Sequence, residues 1–279
     1  MRDNILVTGG RGKTGSRLIK ILSDKGISHN VAARVPEEEN EIAFDWLNPE
    51  MAIKAFEGVT SAYIVAPTNT SEHGKIVIPI LERAIDLGLR RIVLLSASAI
   101  EAGGPMMGQI HSWLINNAPE WTVLRPTWFM QNFSEQHHVK TINEESKIYS
   151  ATGTGRVAFI DAQDIARVAA DALLSTESWN RAVLLTGPHP LSYGDVAKKL
   201  SLALGRNVSH HNLSYSEFVR QLQKLGLDKN YSQILANMDI NVANHLEEYV
   251  SEDTEQFTGQ YPNSFDDFIL REKPTWRLK

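Results

Sequence analysis

Residues Thr8 to Gly15 read TGGRGKTG, a glycine-dense loop suited to anion binding. Small residues let backbone N–H groups approach a phosphate, and a following helix offers the positive end of its dipole. Two kinds of phosphate loop share parts of this pattern. Gly12-Lys13-Thr14 matches the end of a nucleoside-triphosphate loop, but that loop needs its first glycine at position 7, which is Val7. Gly9, Gly12 and Gly15 instead spell G-x-x-G-x-x-G between a first strand and a first helix, the arrangement that holds a dinucleotide pyrophosphate. Thr8, Gly9, Gly10, Arg11, Gly12, Lys13, Thr14 and Gly15 are therefore the expected cofactor loop. The second strand ends Val31-Ala32-Ala33-Arg34, a cation where an acid would otherwise accept the ribose hydroxyls. Arg34, joined by Arg11, is expected to clamp a 2′-phosphate and so select NADP(H); the plain alternative for Arg34 is a solvated surface side chain.

Such a loop works at the C-terminal edge of a parallel sheet, and the hydrophobic pattern supplies one. Apolar runs recur at Ile5–Val7, Val31–Ala33, Ala62–Ala66, Ile92–Leu95, Thr122–Leu124 and Val183–Leu185, with helix-period segments at Ser16–Lys25, Pro79–Leu87 and Ile165–Leu174 between them. This is the α/β pattern of a doubly wound, Rossmann-type parallel sheet. After Leu185 the character changes: turn residues, a helix capped near Ser192, then helical or irregular polar sequence. The expected division is a dinucleotide-binding domain over 1–186 and a smaller, mostly helical lobe over 187–279, packed over the ligand-binding edge of the sheet, with 128–155 contributing to the substrate cleft.

Composition narrows the partners. The 279 residues carry a formal net charge of -5, which argues against a nucleic-acid partner, and no cysteine, which excludes disulfides, thiolate metal sites and a cysteine nucleophile. Met1-Arg2-Asp3 leads directly into a short apolar strand, and no apolar run approaches the roughly 18 residues of a membrane span, so a cytoplasmic location and a small-molecule partner are expected. Oligomeric state is not legible. His137-His138 and His210-His211 are adjacent pairs whose side chains diverge, and no metal is assigned.

The segments LVTGGRGKTGSRL, FDWLNPE, GQIHSWL, VLRPTWFMQNF and RVAFIDAQDIARVAADAL, followed by LTGPHPLSYGDVAKKLSLALGR, stand in the order of the NmrA-like branch of the atypical short-chain dehydrogenase/reductases, which this chain resembles over most of its length. FDW and LRPTWFMQNF look especially like the ergot alkaloid dehydrogenase clade, with its festuclavine- and agroclavine-type reductases. The resemblance implies NADPH-dependent reduction of a C=N bond or related electrophile. It places Asp45 and Trp46 beside the adenine, Ala66 and Pro67 near the ribose and nicotinamide, and Ser96 where the superfamily keeps a catalytic Ser or Thr. Each has a structural reading too: Asp45 as a turn cap, Trp46 as core, Pro67 as a strand stop, Ser96 as a hydroxyl satisfied by backbone.

Short-chain dehydrogenases that reduce ketones use Tyr-x-x-x-Lys to supply a proton, and no tyrosine or lysine lies between Ile100 and Leu124. An iminium ion carries its positive charge already and needs no acid in the transition state; a quinone is a similarly easy acceptor. His111 is either a substitute acid or a polar residue opening a helix. Trp128, Phe129, Asn132 and Phe133 follow Arg125-Pro126, where the resemblance brings the chain to the substrate; Phe129 and Asn132 are expected to face the cleft, the rest being shared with core. Gly153-Thr154-Gly155 reads as a turn, and Asp161 and Asp164 as residues that fix and cap the helix beginning near Ile165. Two functions remain open: an NADPH-dependent reductase of iminium or quinone-like molecules, or a regulator of the NmrA type that binds NADP(H) without turnover.

Overall fold

The computed structural model describes residues 4–67, 70–227 and 229–276; Met1, Arg2 and Asp3, read above as the lead into the first strand, lie outside them. The described chain runs β1 (Ile5–Val7), α1 (Lys13–Asp24), β2 (His29–Ala33), β3 (Glu41–Ala43), α2 (Pro49–Lys54), β4 (Ser61–Ile64), α3 (His73–Asp86), β5 (Arg91–Leu95), α4 (Met107–Asn117) and β6 (Glu120–Pro126). It continues through a 3-10 turn at Met130–Asn132, α5 (His137–Glu145), β7 (Lys147–Ser150), β8 (Arg156–Val157), α6 (Ala162–Leu174), β9 (Arg181–Leu185) and β10 (Leu191–Ser192). The last elements are α7 (Tyr193–Leu204), β11 (Ser209–Asn212), α8 (Tyr215–Lys224), α9 (Lys229–Ala243), α10 (Asp253–Thr258), α11 (Phe265–Glu272) and a 3-10 turn at Lys273–Trp276.

Two compact units form, each from several segments: Met1–Pro126 with Ala162–Leu185 and Asp253–Gln260, and Thr127–Asp161 with Thr186–Glu252 and Tyr261–Lys279. The expected cut lies after residue 186; one segment boundary falls after Leu185, and the units interleave, with 127–161 in the second and 253–260 in the first. The return has a local cause. Asp253 at the start of α10 accepts the Leu184 N–H of edge strand β9 at 2.8 Å, and Phe257 packs on Trp179 with centroids 4.3 Å apart.

The first unit is a seven-stranded sheet in the order β3-β2-β1-β4-β5-β6-β9. Every pair in it is parallel. Leu6, Ala62, Ile64, Ile92, Leu94 and Val123 share a core with side chains of α2, α3 and α4 on one face. Their neighbours Ile5, Val7, Tyr63 and Val93 are fully buried as well, and strand alternation turns them to the opposite face. Burial on both faces is why these strands read as unbroken apolar runs. Beyond the six runs seen in the sequence stands β3, whose Glu41-Ile42-Ala43 is short and only half-buried because it closes the sheet edge. The third helix begins at His73, well before Pro79, with Val77, Ile80, Leu81 and Ala84 buried on one face. Proline favours a helix start, but here apolar packing carries the helix through it.

Strand order reverses between β1 and β4, and α1 leaves β1 at that point. Gly15, in the first turn of α1, lies so near the preceding loop that a Cβ there would stand 2.3 Å from the Gly9 carbonyl oxygen and 2.9 Å from the Gly10 Cα. Gly9 itself has φ +64°, in the left-handed region. Gly15→Ala is expected to lower stability by about 1–3 kcal/mol, since only backbone can yield there; a urea midpoint equal to the parent's would refute the close approach.

The second unit is built on an aromatic core. The Phe133 ring lies 5.3 Å from Phe159, 5.6 Å from Tyr193 and 5.5 Å from Phe265. Helix α7 opens with the capping box of Ser192 and Asp195, at the cap expected from the sequence. The short strands β7 and β11 pair in parallel and β8 and β10 antiparallel, sheet content that polar sequence did not announce. Gly153-Thr154-Gly155 forms the expected turn, closed by the Gly155 N–H donating to the Thr152 carbonyl at 3.0 Å.

Asp239 on α9 is buried and accepts the Ala151 N–H at 2.7 Å. Burial pushes its carboxyl up to about 7, against the pull of that hydrogen bond. A carboxyl raised on folding contributes stability that is full below its unfolded value, about 3.9, and lost as pH rises through about 7. Asp239→Asn keeps an acceptor and cannot ionise, so its thermal midpoint should gain on the parent's between about pH 5 and about pH 8. A constant difference over that range would show that Asp239 does not titrate there.

Candidate dinucleotide and hydride-transfer site

The loop after β1 is held by a hydroxyl. Thr8, fully buried, donates through Oγ1 to the Tyr63 carbonyl at 3.0 Å and accepts the Val65 N–H at 2.7 Å, tying the ends of β1 and β4 together. Thr14, also buried, accepts the Tyr63 hydroxyl at 2.9 Å. Both threonines therefore shape the loop from below. Gly9 and Gly12 are exposed on its rim, Gly10 and Gly15 buried beneath it, and Lys13 half-buried at the start of α1. Gly12 is the N-cap, with no side-chain cap bond and no acid in the first turn. No cap side chain or first-turn acid thus competes with an anion at the helix start. A close-packed cradle, exposed glycines on its rim and an uncapped helix start fit a dinucleotide pyrophosphate.

At the end of β2 the two arginines part. Arg34 is exposed, and its guanidinium makes no hydrogen bond or ion pair among the described residues. Arg11 does not join it in a clamp as expected: its Nη2 lies 2.9 Å from Glu37 Oε2 and 3.0 Å from Glu41 Oε2. The sequence could not show this, because 30 residues separate Arg11 from Glu41. Asp45 is the turn cap, accepting the Leu47 N–H at 2.9 Å. Trp46 is core, 7% exposed, its ring edge-on to Phe44 at 4.8 Å. Its indole N–H donates to the Val65 carbonyl at 3.0 Å, fixing the chain just before Ala66 and Pro67, which are buried after β4.

Ser96 follows β5 and is anchored by its own N–H to the Leu124 carbonyl at 2.8 Å, yet its buried Oγ has no partner among the described residues. The reading of a hydroxyl satisfied by backbone fails. His111, in the second turn of α4, is 4% exposed, and its Nδ1 is likewise buried without a partner among the described residues. Its ring lies 5.8 Å from that of Trp121. Burial, and second the Arg125 guanidinium, push His111 below the ordinary imidazole range, with Glu101 opposing. Arg125, not singled out by sequence, donates to the Ser98 carbonyl and to Glu101 Oε1, each at 2.5 Å, and so pins the loop that carries Ser96. Only its place at the end of an apolar run, in LRP, hinted at this.

A histidine lowered on folding takes up its proton later than the unfolded chain does. Its contribution to stability is complete above about pH 6.5 and lost as pH falls through its own lower pKa. The stability advantage of the parent over His111→Leu should therefore shrink between about pH 7.5 and about pH 5.5; a gap that widens with acid would mean that the folded state charges His111 readily.

In the second unit, Trp128, Phe129 and Asn132 are half-buried, around a bridge between Phe129 and Ile160. Phe133 is not a surface for substrate. It is fully buried, stacked on His138 at 5.0 Å, and its carbonyl accepts the Trp276 indole N–H at 2.8 Å. Asp161, fully buried, accepts from Gln131 at 2.7 Å and Arg271 at 2.6 Å, which ties the 3-10 turn at Met130–Asn132 to α11. In the first unit Asp164, in the first turn of α6, pairs with Arg167. The side chain of His137 lies outside the described ones. Among the described residues no group of three or more His, Asp or Glu is placed to hold a metal ion, and no helix is long and apolar enough to cross a membrane.

Comparison with known proteins bears on this geometry. Residues 9–176 match the family described as NAD(P)H-binding. Agroclavine dehydrogenase of Claviceps fusiformis is 36% identical over 287 residues, covering 99% of each chain. The uncharacterized oxidoreductase YesF of Bacillus subtilis is 35% identical over 280 residues, covering 99% of this chain and 98% of that one. The fold is shared with the NADPH-dependent quinone oxidoreductase QOR2 of Escherichia coli, solved with NADPH, at TM-score 0.83 and 18% identity over 96% of this chain and 99% of that one. It is shared also with NmrA, a negative transcriptional regulator solved with NAD, at TM-score 0.74 and 13% identity over 98% of each.

Proposed function

The chain belongs to the NAD(P)H-binding family and is an NAD(P)H-dependent oxidoreductase; we propose that its reductant is NADPH and that it reduces an iminium or quinone-like small molecule without a proton donor in the transition state. The observation that carries this reading is His111: it is buried, and burial and the Arg125 charge both disfavour its imidazolium form, the form that would donate a proton readily. With no Tyr-x-x-x-Lys beside it, this site suits an acceptor that already bears the charge that reduction removes.

When bound, the dihydronicotinamide supplies a hydride. The exposed rim of Gly9 and Gly12 and the start of α1 hold the pyrophosphate, while Arg34 takes the 2′-phosphate with a planar, charge-assisted donor set. Ala66 and Pro67, steadied through Trp46 and Val65, line the ribose and nicotinamide side. Ser96 offers a buried hydroxyl free to orient a polar atom of the acceptor or of the cofactor amide. Trp128, Phe129 and Asn132 are the candidate contacts for a flat substrate. The name of the Claviceps relative, a dehydrogenase of the clavine agroclavine, favours an acceptor of the iminium kind.

Purified protein screened with NADPH against cyclic imines, N-alkyl iminium salts and quinones tests the reading through loss of reduced nicotinamide absorbance. Tight NADPH binding with no oxidation by any class would favour a redox-sensing regulator instead. With an N-alkyl iminium, whose charge does not depend on pH, kcat should show no basic limb across roughly pH 6–8, and His111→Ala should cost less than about 10²-fold. A larger loss with the fold intact would make His111 the acid after all. Arg34→Ala should weaken NADPH by about 10- to 100-fold and leave NADH little changed; equal losses would remove the phosphate assignment.

A further inference from the structure

The run Glu37-Glu38-Glu39 follows β2, where a loop that selects an extra phosphate would be expected to be basic. The acids are organised by one residue of β3. The Glu41 side chain is 8% exposed, and both its oxygens are engaged. Its Oε1 accepts from Arg11 Nε at 3.3 Å and from Arg11 Nη2 at 3.1 Å. Its Oε2 accepts from Arg11 Nη2 at 3.0 Å, from the Glu37 N–H at 2.6 Å and from the Glu38 N–H at 3.3 Å. The same Arg11 nitrogen also meets the Glu37 carboxylate at 2.9 Å and the Val35 carbonyl at 3.4 Å. One carboxylate thus joins the glycine loop, through Arg11, to the turn between β2 and β3. The Glu37 N–H, and second the Arg11 guanidinium, hold Glu41 below the usual carboxylate range, so it stays ionised at neutral pH.

We propose that Glu41 is a positioning residue, latching Arg11 and the turn at Glu37–Glu38 so that both loops are set before the cofactor arrives and recognition of the 2′-phosphate falls to Arg34 alone. This rests on NADPH being the reductant. The charges around Arg11 support it: one guanidinium faces two carboxylates, and swinging it to a phosphate would strip a well-shielded Glu41 of its cationic donor. Arg34 has no such competitor among the described residues. A residue that acts only by setting shared loops affects NADPH and NADH alike, whereas a phosphate ligand affects NADPH alone.

Fluorescence titration of NADPH and NADH into the parent, Arg11→Ala, Glu41→Gln and the double variant separates these cases. The latch requires each single change to weaken both cofactors by a similar factor, about 3- to 30-fold, and the double change to be no worse than the worse single. Glu41→Asp, which keeps the charge, should recover part of the loss. Without any cofactor, the Glu37 and Glu38 amides should be protected from hydrogen exchange in the parent and lose that protection in Glu41→Gln, while amides of β5 and β6 stay protected and report an intact fold. A loss confined to NADPH in Arg11→Ala, or tighter NADPH binding in Glu41→Gln, would overturn the proposal and return Arg11 to the phosphate. Unchanged exchange at Glu37 and Glu38 would overturn the positioning role. A parent that prefers NADH would remove the NADPH reading and the part given to Arg34 with it, and the exchange experiment would still decide whether Glu41 sets the turn.

Discussion

A buried hydroxyl, that of Thr8, ties together the strand ends beneath the glycine loop. Where strand order reverses between β1 and β4, the ladder stops and the two chains depart, β1 into the glycine loop and β4 toward α3. Thr8 spans that gap because a hydroxyl donates and accepts at once, here to the Tyr63 carbonyl and from the Val65 N–H. Val65 in turn offers its carbonyl to the Trp46 indole, so the ends of three strands are joined by two side chains. Both bonds lie in a region where an unpaired polar group would be costly, which makes the arrangement hard to distort. The close approach of Gly15 to Gly9 is possible only over a base of this rigidity.

The charged groups around the cradle show division of labour. Two arginines that look equivalent in sequence do different things: one is spent on neighbouring carboxylates, the other left open to solvent. The cause lies in what each backbone position faces. Arg11 projects from the glycine loop toward β3, where Glu41 is shielded enough to need a cation. Arg34 extends past the end of β2 with no acid in reach among the described residues.

A similar economy governs the ends of β5 and β6. Burial makes protonated His111 unfavourable, and Arg125, held by Glu101 and the Ser98 carbonyl, adds positive charge against it. A neutral imidazole and a hydroxyl without a partner are a weak apparatus for delivering protons. They suit the acceptor proposed above, one that takes electrons and a hydrogen nucleus together, as hydride.

The sequence by itself determined the parallel sheet, since strands buried on both faces must be apolar throughout, and it marked the glycine loop after β1 as the candidate for a phosphate, since the spacing of Gly9, Gly12 and Gly15 is a local property. It also showed the cap at Ser192, because a capping box spans only four residues. What depends on residues far apart was decided by tertiary structure. The engagement of Arg11 needs the register of β3 beside β2, and the missing partner of Ser96 needs to be known from every neighbour, not from its own segment. Phe133 looked like its aromatic neighbours Trp128 and Phe129, and only packing against Phe159, Tyr193 and Phe265 turned it inward. Local pattern fixes what a backbone can form, while partners distant in sequence fix which side chains are left over to do chemistry.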